Sequence, residues 1–330
     1  MSDSGSLFND DDLFGSSEPV VRETRQSEPE SAPYAARYSN SRIKPISLDG
    51  LNPMQREAAE HVNGPLLVVA GAGSGKTRVL THRIAHLISN HGVSPMNVLA
   101  ITFTNKAAGE MKHRVESLIG PVAKSMWVST FHSACVRILR VHAERIGYPK
   151  TFSIYDQADA QRLTGYVIRD MGLDVKRFTP RAVHAVISNW KNELVSPSQA
   201  AEQAAHIFDR KHSEIYREYQ ERLLKAGAMD FDDLLVNVVR LFRMHPDVLA
   251  SYQDRFKYIL VDEYQDTNIA QNEIVLSLAA RHHNVCVVGD TDQSIYAFRG
   301  ADFRNIGQFE DAFDEVSVVV LEQNYRSTQN

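Results

Sequence analysis

A glycine-rich stretch early in the chain has the composition of a phosphate-binding loop. It follows a short apolar run and precedes an amphipathic pattern, so we expect a strand before it and a helix after it. Small residues let backbone N–H groups surround phosphate oxygens, and a helix N-terminus adds partial positive charge. Lys76 can reach the β- and γ-phosphates of a nucleotide, and Thr77 can offer a hydroxyl to Mg²⁺. The predicted nucleotide-binding residues here are Ala70, Gly71, Ala72, Gly73, Ser74, Gly75, Lys76, Thr77 and Arg78.

One position departs from the usual pattern of such loops. Ala70 stands where the G-x-x-x-x-G-K-[ST] pattern begins with glycine. The alternative interpretation is therefore a glycine-rich turn that only caps a helix. The Gly-Lys-Thr ending and the flanking strand and helix patterns favour phosphate binding.

A pair of acidic residues follows another apolar run. Asp262 and Glu263 come directly after residues 258–261, which places both carboxylates at the carboxyl end of a predicted strand. Asp262 can hold magnesium, and Glu263 can orient and deprotonate an attacking water. On its own such a pair is more often part of a solvated loop. Beside a phosphate loop it indicates hydrolysis of a bound nucleotide.

Two further polar groups follow later strands. Gln293 comes shortly after the apolar run 285–288, where it can hydrogen-bond a γ-phosphate or the attacking water; the alternative is a polar turn. Arg326, after the last predicted strand, can stabilise charge that develops on the γ-phosphate. Its neighbour Tyr325 offers a ring on which a base can stack. On spacing alone, a surface Tyr-Arg pair is the better interpretation.

The elements that must position these groups alternate between strand and helix. Short apolar runs followed by amphipathic helices are typical of a parallel sheet covered on both faces. Residues 155–229 break this rhythm and are predicted to form an inserted, almost wholly helical subdomain, with helices starting at Pro180 and Pro197. One long helix there carries a single stripe that includes Phe208 and Tyr219. The predicted strands are residues 66–69, 98–103, 127–130, 258–261, 285–288 and 316–321.

The composition restricts the protein class. The chain has 330 residues, 43% hydrophobic and 23% charged, with a net charge of −5, so any nucleic-acid contact must come from a local patch. Residues 1–44 are acidic and rich in serine and are predicted to be a disordered tail. The apolar pieces at Leu7 and Leu13 are a chance feature of that tail or a docking motif for a protein partner.

Several absences in the sequence bear on the compartment. No apolar stretch has the length of a membrane span, and the N-terminus lacks the pattern of a signal peptide. Cys135 and Cys286 lie far apart in apolar runs, which favours buried, reduced thiols. We therefore expect a cytoplasmic protein without a membrane partner.

Taken in order, these motifs resemble those of superfamily 1 DNA helicases of the bacterial UvrD, PcrA and Rep type. The resemblance runs from about residue 51 to the end of the chain, and alanine is an accepted first residue of the family's phosphate loop. The matching segments are residues 51–56, 70–77, 102–108, 130–133, 229–235, 261–266, 289–300 and 323–327.

The resemblance implies further roles for individual residues. Gln55 would read adenine, Tyr325 would pack on it and Arg326 would contact the γ-phosphate. Phe103 and Phe298 are similar to residues that stack on bases, although the second is often tryptophan in the family, and Phe103 also fits an ordinary core position. The DNA-binding residues that the resemblance implies are Phe103, Thr104, Asn105, Thr130, His132, Phe298 and Arg299.

The resemblance also implies an architecture and an activity. The expected fold is an α/β, RecA-like P-loop NTPase domain with a parallel sheet and an inserted all-helical subdomain. Its expected segments are a tail at 1–44, the first motor domain at 45–154 and 230–330, and the insertion at 155–229. The implied activity is that of an ATP- and Mg²⁺-dependent 3′-to-5′ DNA helicase of repair and replication, acting on single-stranded and 3′-tailed duplex DNA.

Two alternatives to this activity stay open. The first is a truncated module that binds nucleotide and single strands without turnover or unwinding. The family's second motor domain would follow residue 330, so we expect this chain alone to bind nucleotide weakly and not to unwind DNA. The second, a P-loop kinase or GTPase, fits poorly because we find no guanine-reading motif, and Glu263 with Gln293 suits attack by water.

Overall fold

The computed structural model describes residues 43–71, 73–290 and 304–322. The predictions for Ala72, Gln293, Phe298, Arg299, Tyr325 and Arg326 lie outside the described residues.

The described chain alternates strands and helices, as its apolar pattern predicts. The strands are β1 (Leu66–Ala70), β2 (Val98–Thr102), β3 (Trp127–Thr130), β4 (Ser153–Tyr155), β5 (Ala228–Asp230), β6 (Tyr258–Val261), β7 (Val285–Gly289) and β8 (Ser317–Leu321). The helices are α1 (Pro53–Glu60), α2 (Lys76–Ser89), α3 (Asn105–Ile119), α4 (Phe131–His142), α5 (Gln157–Asp170), α6 (Pro180–Asn192), α7 (Pro197–Glu202), α8 (Ile207–Lys225), α9 (Phe231–Met244), α10 (Pro246–Arg255), α11 (Ile269–Ala279) and α12 (Arg304–Asp311).

Six strands form one sheet in the order β3-β2-β6-β7-β1-β8, with every pairing parallel. Successive residues of β1 face opposite sides, so Leu67 packs in one core and Leu66 in the other. Helices α4, α9 and α11 contribute to the first core, and α2 and α3 to the second. This is the α/β architecture with both sheet faces covered that the sequence predicts, and each of its six strands matches the predicted bounds to within one residue.

Helices α5 to α8 lie between β4 and β5 and share a core of their own. Proline begins α6 and α7, as predicted. The segment is bounded by a two-stranded parallel sheet of β4 and β5, which was not predicted. Phe208, in the first turn of α8, is 50% exposed, and its ring lies 5.6 Å from that of the buried Phe178.

Cys135 and Cys286 are buried free thiols, as predicted, and burial raises the pKa of each. Within the described residues, no helix is both long enough and apolar enough to cross a membrane.

Candidate nucleotide-binding site

The glycine-rich loop joins β1 to α2 in the context that phosphate binding requires. Gly73 and Gly75 have φ values of +81° and +90°, which a side chain rarely tolerates. The Ser74 hydroxyl donates a hydrogen bond to the Gly71 carbonyl at 2.8 Å and closes the turn. Helix α2 begins directly after this turn. Lys76 is its first residue, and Thr77 follows at the positive end of the helix.

Gln55, on α1, hydrogen-bonds to the backbone of the glycine-rich loop. It completes a capping box with Asn52 at the start of α1, and its Nε2 donates to the Ser74 carbonyl at 2.8 Å. A Cβ on Gly75 would lie 2.7 Å from that same nitrogen, so only glycine fits there without displacing the glutamine. The structure thus places Gln55 beside the glycine-rich loop, where it holds the backbone at Ser74. Arg78 is exposed, and it donates to the Gly50 carbonyl at 2.8 Å.

The acidic pair meets the loop across β7. Lys76 Nζ lies 2.8 Å from Glu263 Oε2 and 3.8 Å from Asp290 Oδ2. The lysine side chain is 10% exposed, whereas the glutamate is 37% exposed. Although Lys76 and Glu263 are far apart in sequence, parallel strands place both at the carboxyl edge of the sheet.

Asp262 is held in place by backbone contacts. Its N–H donates to the Ile101 carbonyl at 3.0 Å, and its Oδ1 accepts the Glu263 N–H at 3.1 Å. Burial, and then the adjacent Glu263 charge, raise the pKa of Asp262 to about 6. Because burial and the Glu263 charge both disfavour the ionised carboxylate of Asp262, a bound cation would stabilise that carboxylate.

The donor set fits magnesium better than a softer metal. No group of three or more His, Cys, Asp or Glu side chains within the described residues is arranged to hold a metal. Mg²⁺ commonly takes one or two protein oxygens and completes its shell with phosphate and water. Asp262 and Thr77 provide such oxygens.

Two further residues at this site were not singled out from the sequence. Gln265 donates from Nε2 to Glu263 Oε2 at 3.0 Å and accepts the Asp290 N–H at Oε1, also at 3.0 Å. It therefore joins the ends of β6 and β7. The sequence signal that could have identified Gln265 is its position, two residues after Glu263. Asp290 adds a second carboxylate near Lys76.

The described residues that the resemblance assigned to DNA binding follow β2 and β3 at the same edge of the sheet. Thr104 and Thr130 cap α3 and α4 through their side chains, which gives each a structural role. Phe103 is half-buried and lies edge-on to Phe131, with 6.0 Å between ring centroids. Asn105 is exposed in the first turn of α3.

The last of these residues, His132, is half-buried at the start of α4. Its ring lies edge-on to Phe231 with 5.8 Å between centroids. His132 thus lies where the first turns of α4 and α9 meet.

A parallel sheet that carries a glycine-rich loop after β1 and an acidic pair after β6 defines a RecA-like P-loop NTPase domain. The model of the UvrD/REP helicase N-terminal domain matches residues 51–314, so the chain belongs to the UvrD/REP helicase family.

Curated relatives give the same assignment. The chain is 54% identical over 282 residues to ATP-dependent DNA helicase PcrA of Bacillus subtilis (strain 168), and 54% identical over 294 residues to ATP-dependent DNA helicase UvrD1 of Mycobacterium tuberculosis (strain ATCC 25618 / H37Rv). It is 52% identical over 282 residues to PcrA of Staphylococcus aureus (strain NCTC 8325 / PS 47). Each alignment covers 86% of this chain but only 38% or 39% of the relative.

Proposed function

We propose that this chain is the ATP-hydrolysing portion of a 3′-to-5′ DNA helicase that couples hydrolysis to movement along single-stranded DNA. The observation that carries the proposal is the meeting of Lys76 with Glu263 at 2.8 Å, beside Asp262. The names of the relatives support ATP as the nucleotide and DNA as the substrate.

In the proposed reaction the loop residues from Ala70 to Thr77 hold the triphosphate. Lys76 contacts its β- and γ-phosphates. Asp262 and Thr77 would hold Mg²⁺, which would neutralise phosphate charge. Glu263 accepts a proton from the attacking water. Gln265 fixes the direction of the Glu263 carboxylate through its 3.0 Å hydrogen bond.

DNA is proposed to bind where Phe103, Asn105 and His132 follow β2 and β3. A ring at such a place offers a stacking surface for any base, which suits movement that is independent of sequence. Polarity, preference for a 3′-tailed duplex, service in repair or replication and a cytoplasmic location are proposed from the family resemblance. The segment bounds at residues 44/45, 154/155 and 229/230 are proposed on the same basis.

ATP turnover with and without single-stranded DNA separates the enzyme from a module that binds without turnover. The complete native protein that contains this chain should hydrolyse ATP faster when single strands are added. Lys76→Ala and Glu263→Gln should both abolish that stimulation. Nucleotide and DNA binding without turnover in either condition would support the module instead.

A further inference from the structure

The last turn of α6, within the helical insertion, contacts the beginnings of two helices of the sheet domain. Lys191 is 1% exposed, and its Nζ lies 2.7 Å from Asp230 Oδ2 and 2.8 Å from Asp233 Oδ1. Those two carboxylates form the capping box of α9. Lys191 therefore anchors α6 to the start of α9.

The next residue, Asn192, makes a different connection. Its Oδ1 accepts a hydrogen bond of 2.6 Å from Asn268 Nδ2, and its Nδ2 donates to the Ser188 carbonyl at 2.8 Å. Asn268 is the N-cap of α11, where its Oδ1 accepts the Gln271 N–H at 2.8 Å. The bond from Asn192 thus fixes the orientation of the Asn268 amide, with its oxygen towards the helix.

Asn268 lies only five positions beyond Glu263, and the residues between them form a tight turn. Asp266 N–H donates to the Glu263 carbonyl at 2.9 Å, and the Thr267 hydroxyl donates to the Tyr264 carbonyl at 2.6 Å. On its other side the turn is held by Asn305, whose Nδ2 donates to the Thr267 carbonyl at 2.6 Å. A shift of Asn268 is therefore passed along a short, hydrogen-bonded segment.

Gln265 lies inside this turn and orients Glu263 directly. A continuous path leads from Asn192 through Asn268 and the turn to the Glu263 carboxylate. Asn192 Nδ2 also lies 3.4 Å from Asp232 Oδ1 at the start of α9, where Lys191 already supplies a buried ion pair. The shorter bond, from Asn268 to Asn192 Oδ1, reaches the segment that follows the acidic pair.

We propose that Asn192 is a positioning residue for ATP hydrolysis, which acts through Asn268 to hold the turn that aims Glu263. The inference rests on the proposed function of Glu263. It assigns to the helical insertion a direct part in the geometry of the hydrolytic site.

The test compares Asn192→Ala with Asn189→Ala in the complete native protein. Asn189 is on the same helix but exposed, so its variant controls for loss of an asparagine from α6. We expect Asn192→Ala to lower kcat for ATP hydrolysis roughly 3- to 10-fold with KM unchanged. We also expect faster hydrogen exchange of the amides at 266–271 when no nucleotide is added. Asn189→Ala should alter neither quantity.

A second variant acts from the other side of the bond. Asn268→Asp keeps an oxygen that can cap α11 but removes the amide donor to Asn192. It should reproduce the kcat loss, and combining it with Asn192→Ala should add little to that loss because both changes break the bond between Asn192 and Asn268.

Equal kcat and equal hydrogen exchange in Asn192→Ala and Asn189→Ala would overturn the inference, as would an effect confined to KM. A wild-type protein that does not hydrolyse ATP would overturn the proposed function and, with it, the role of Asn192. If the wild type is active, only the comparison of the variants decides the inference.

Discussion

Lys76 and Glu263 form an ion pair, with Nζ and Oε2 2.8 Å apart. The predicted phosphate-binding cation and the predicted water-activating carboxylate thus contact each other directly. In the proposed reaction a nucleotide phosphate competes with Glu263 for the lysine, so that binding and hydrolysis are linked through one charged contact.

Glu263→Gln should separate these two steps. The change removes the charge that competes with phosphate and the base that activates water. We expect nucleotide affinity to rise by a few-fold while turnover falls by at least about 100-fold. Titration with a fluorescent nucleotide and a steady-state ATPase assay measure the two effects. Glu273→Gln, which alters a surface pair with Arg243, is the matched control; turnover retained in Glu263→Gln would contradict the assignment.

Gln265→Ala tests the residue that joins Glu263 to Asp290. Its loss frees the Glu263 carboxylate to adopt other directions, so kcat should fall about 10-fold with little change in nucleotide affinity. Gln253→Ala removes a glutamine whose bond to the Ser277 carbonyl lies outside the site, and it should leave kcat unchanged. Identical kinetics for the two variants would remove Gln265 from the site.

Gly75→Ala tests the shape of the phosphate loop. The backbone at +90° and the 2.7 Å approach to Gln55 make an added methyl group costly, on the order of 1–3 kcal/mol. We expect lower stability in chemical denaturation and weaker nucleotide binding. Gly109→Ala lies in open space on α3 and should instead stabilise the chain by about 0.5–1 kcal/mol. The loop assignment fails if both changes have the same effect.

Lys191→Met tests the buried anchor of α6. It leaves Asp230 and Asp233 buried without their cation, which should lower the free energy of unfolding by roughly 3–5 kcal/mol. Lys211→Met breaks a surface pair with Glu214 and should change stability by less than about 1 kcal/mol. Urea denaturation of both variants measures the difference, and similar midpoints would show that the buried pair contributes little.

Asp232→Asn tests the pH response of the same cluster. Burial, and then the Asp230 charge, raise the pKa of Asp232 to about 6 from its usual 3.8. The folded chain therefore binds this proton more tightly than the unfolded chain, and ionisation of Asp232 costs stability as pH rises from about 4 to 6. The variant lacks that cost, so its stability relative to wild type should increase by on the order of 2–3 kcal/mol between pH 4 and 7. An unchanged difference would show that Asp232 titrates normally.

Local sequence patterns were sufficient to predict the six strands of the large sheet and the glycine-rich turn before α2, because apolar runs and glycines act over a few residues. The order β3-β2-β6-β7-β1-β8 depends on long-range packing, which no single segment contains. Gln265 was missed because its position two residues after Glu263 does not by itself distinguish it from any glutamine in a polar turn.

The burial of Lys191 was missed for a similar reason. A lysine on an amphipathic helix usually faces solvent, and its acidic partners lie about 40 residues away along the chain.

The short strands β4 and β5 carry a consequence for how this domain tolerates change. Their pairing brings the entry and the exit of the helical insertion side by side. The two points where the insertion leaves and rejoins the sheet domain therefore stay close together, whatever the length of the four helices between them. The insertion is free to lengthen, shrink or diverge in sequence while the carboxyl edge of the sheet keeps its register, provided that the contacts of α6 and α8 with the start of α9 are retained.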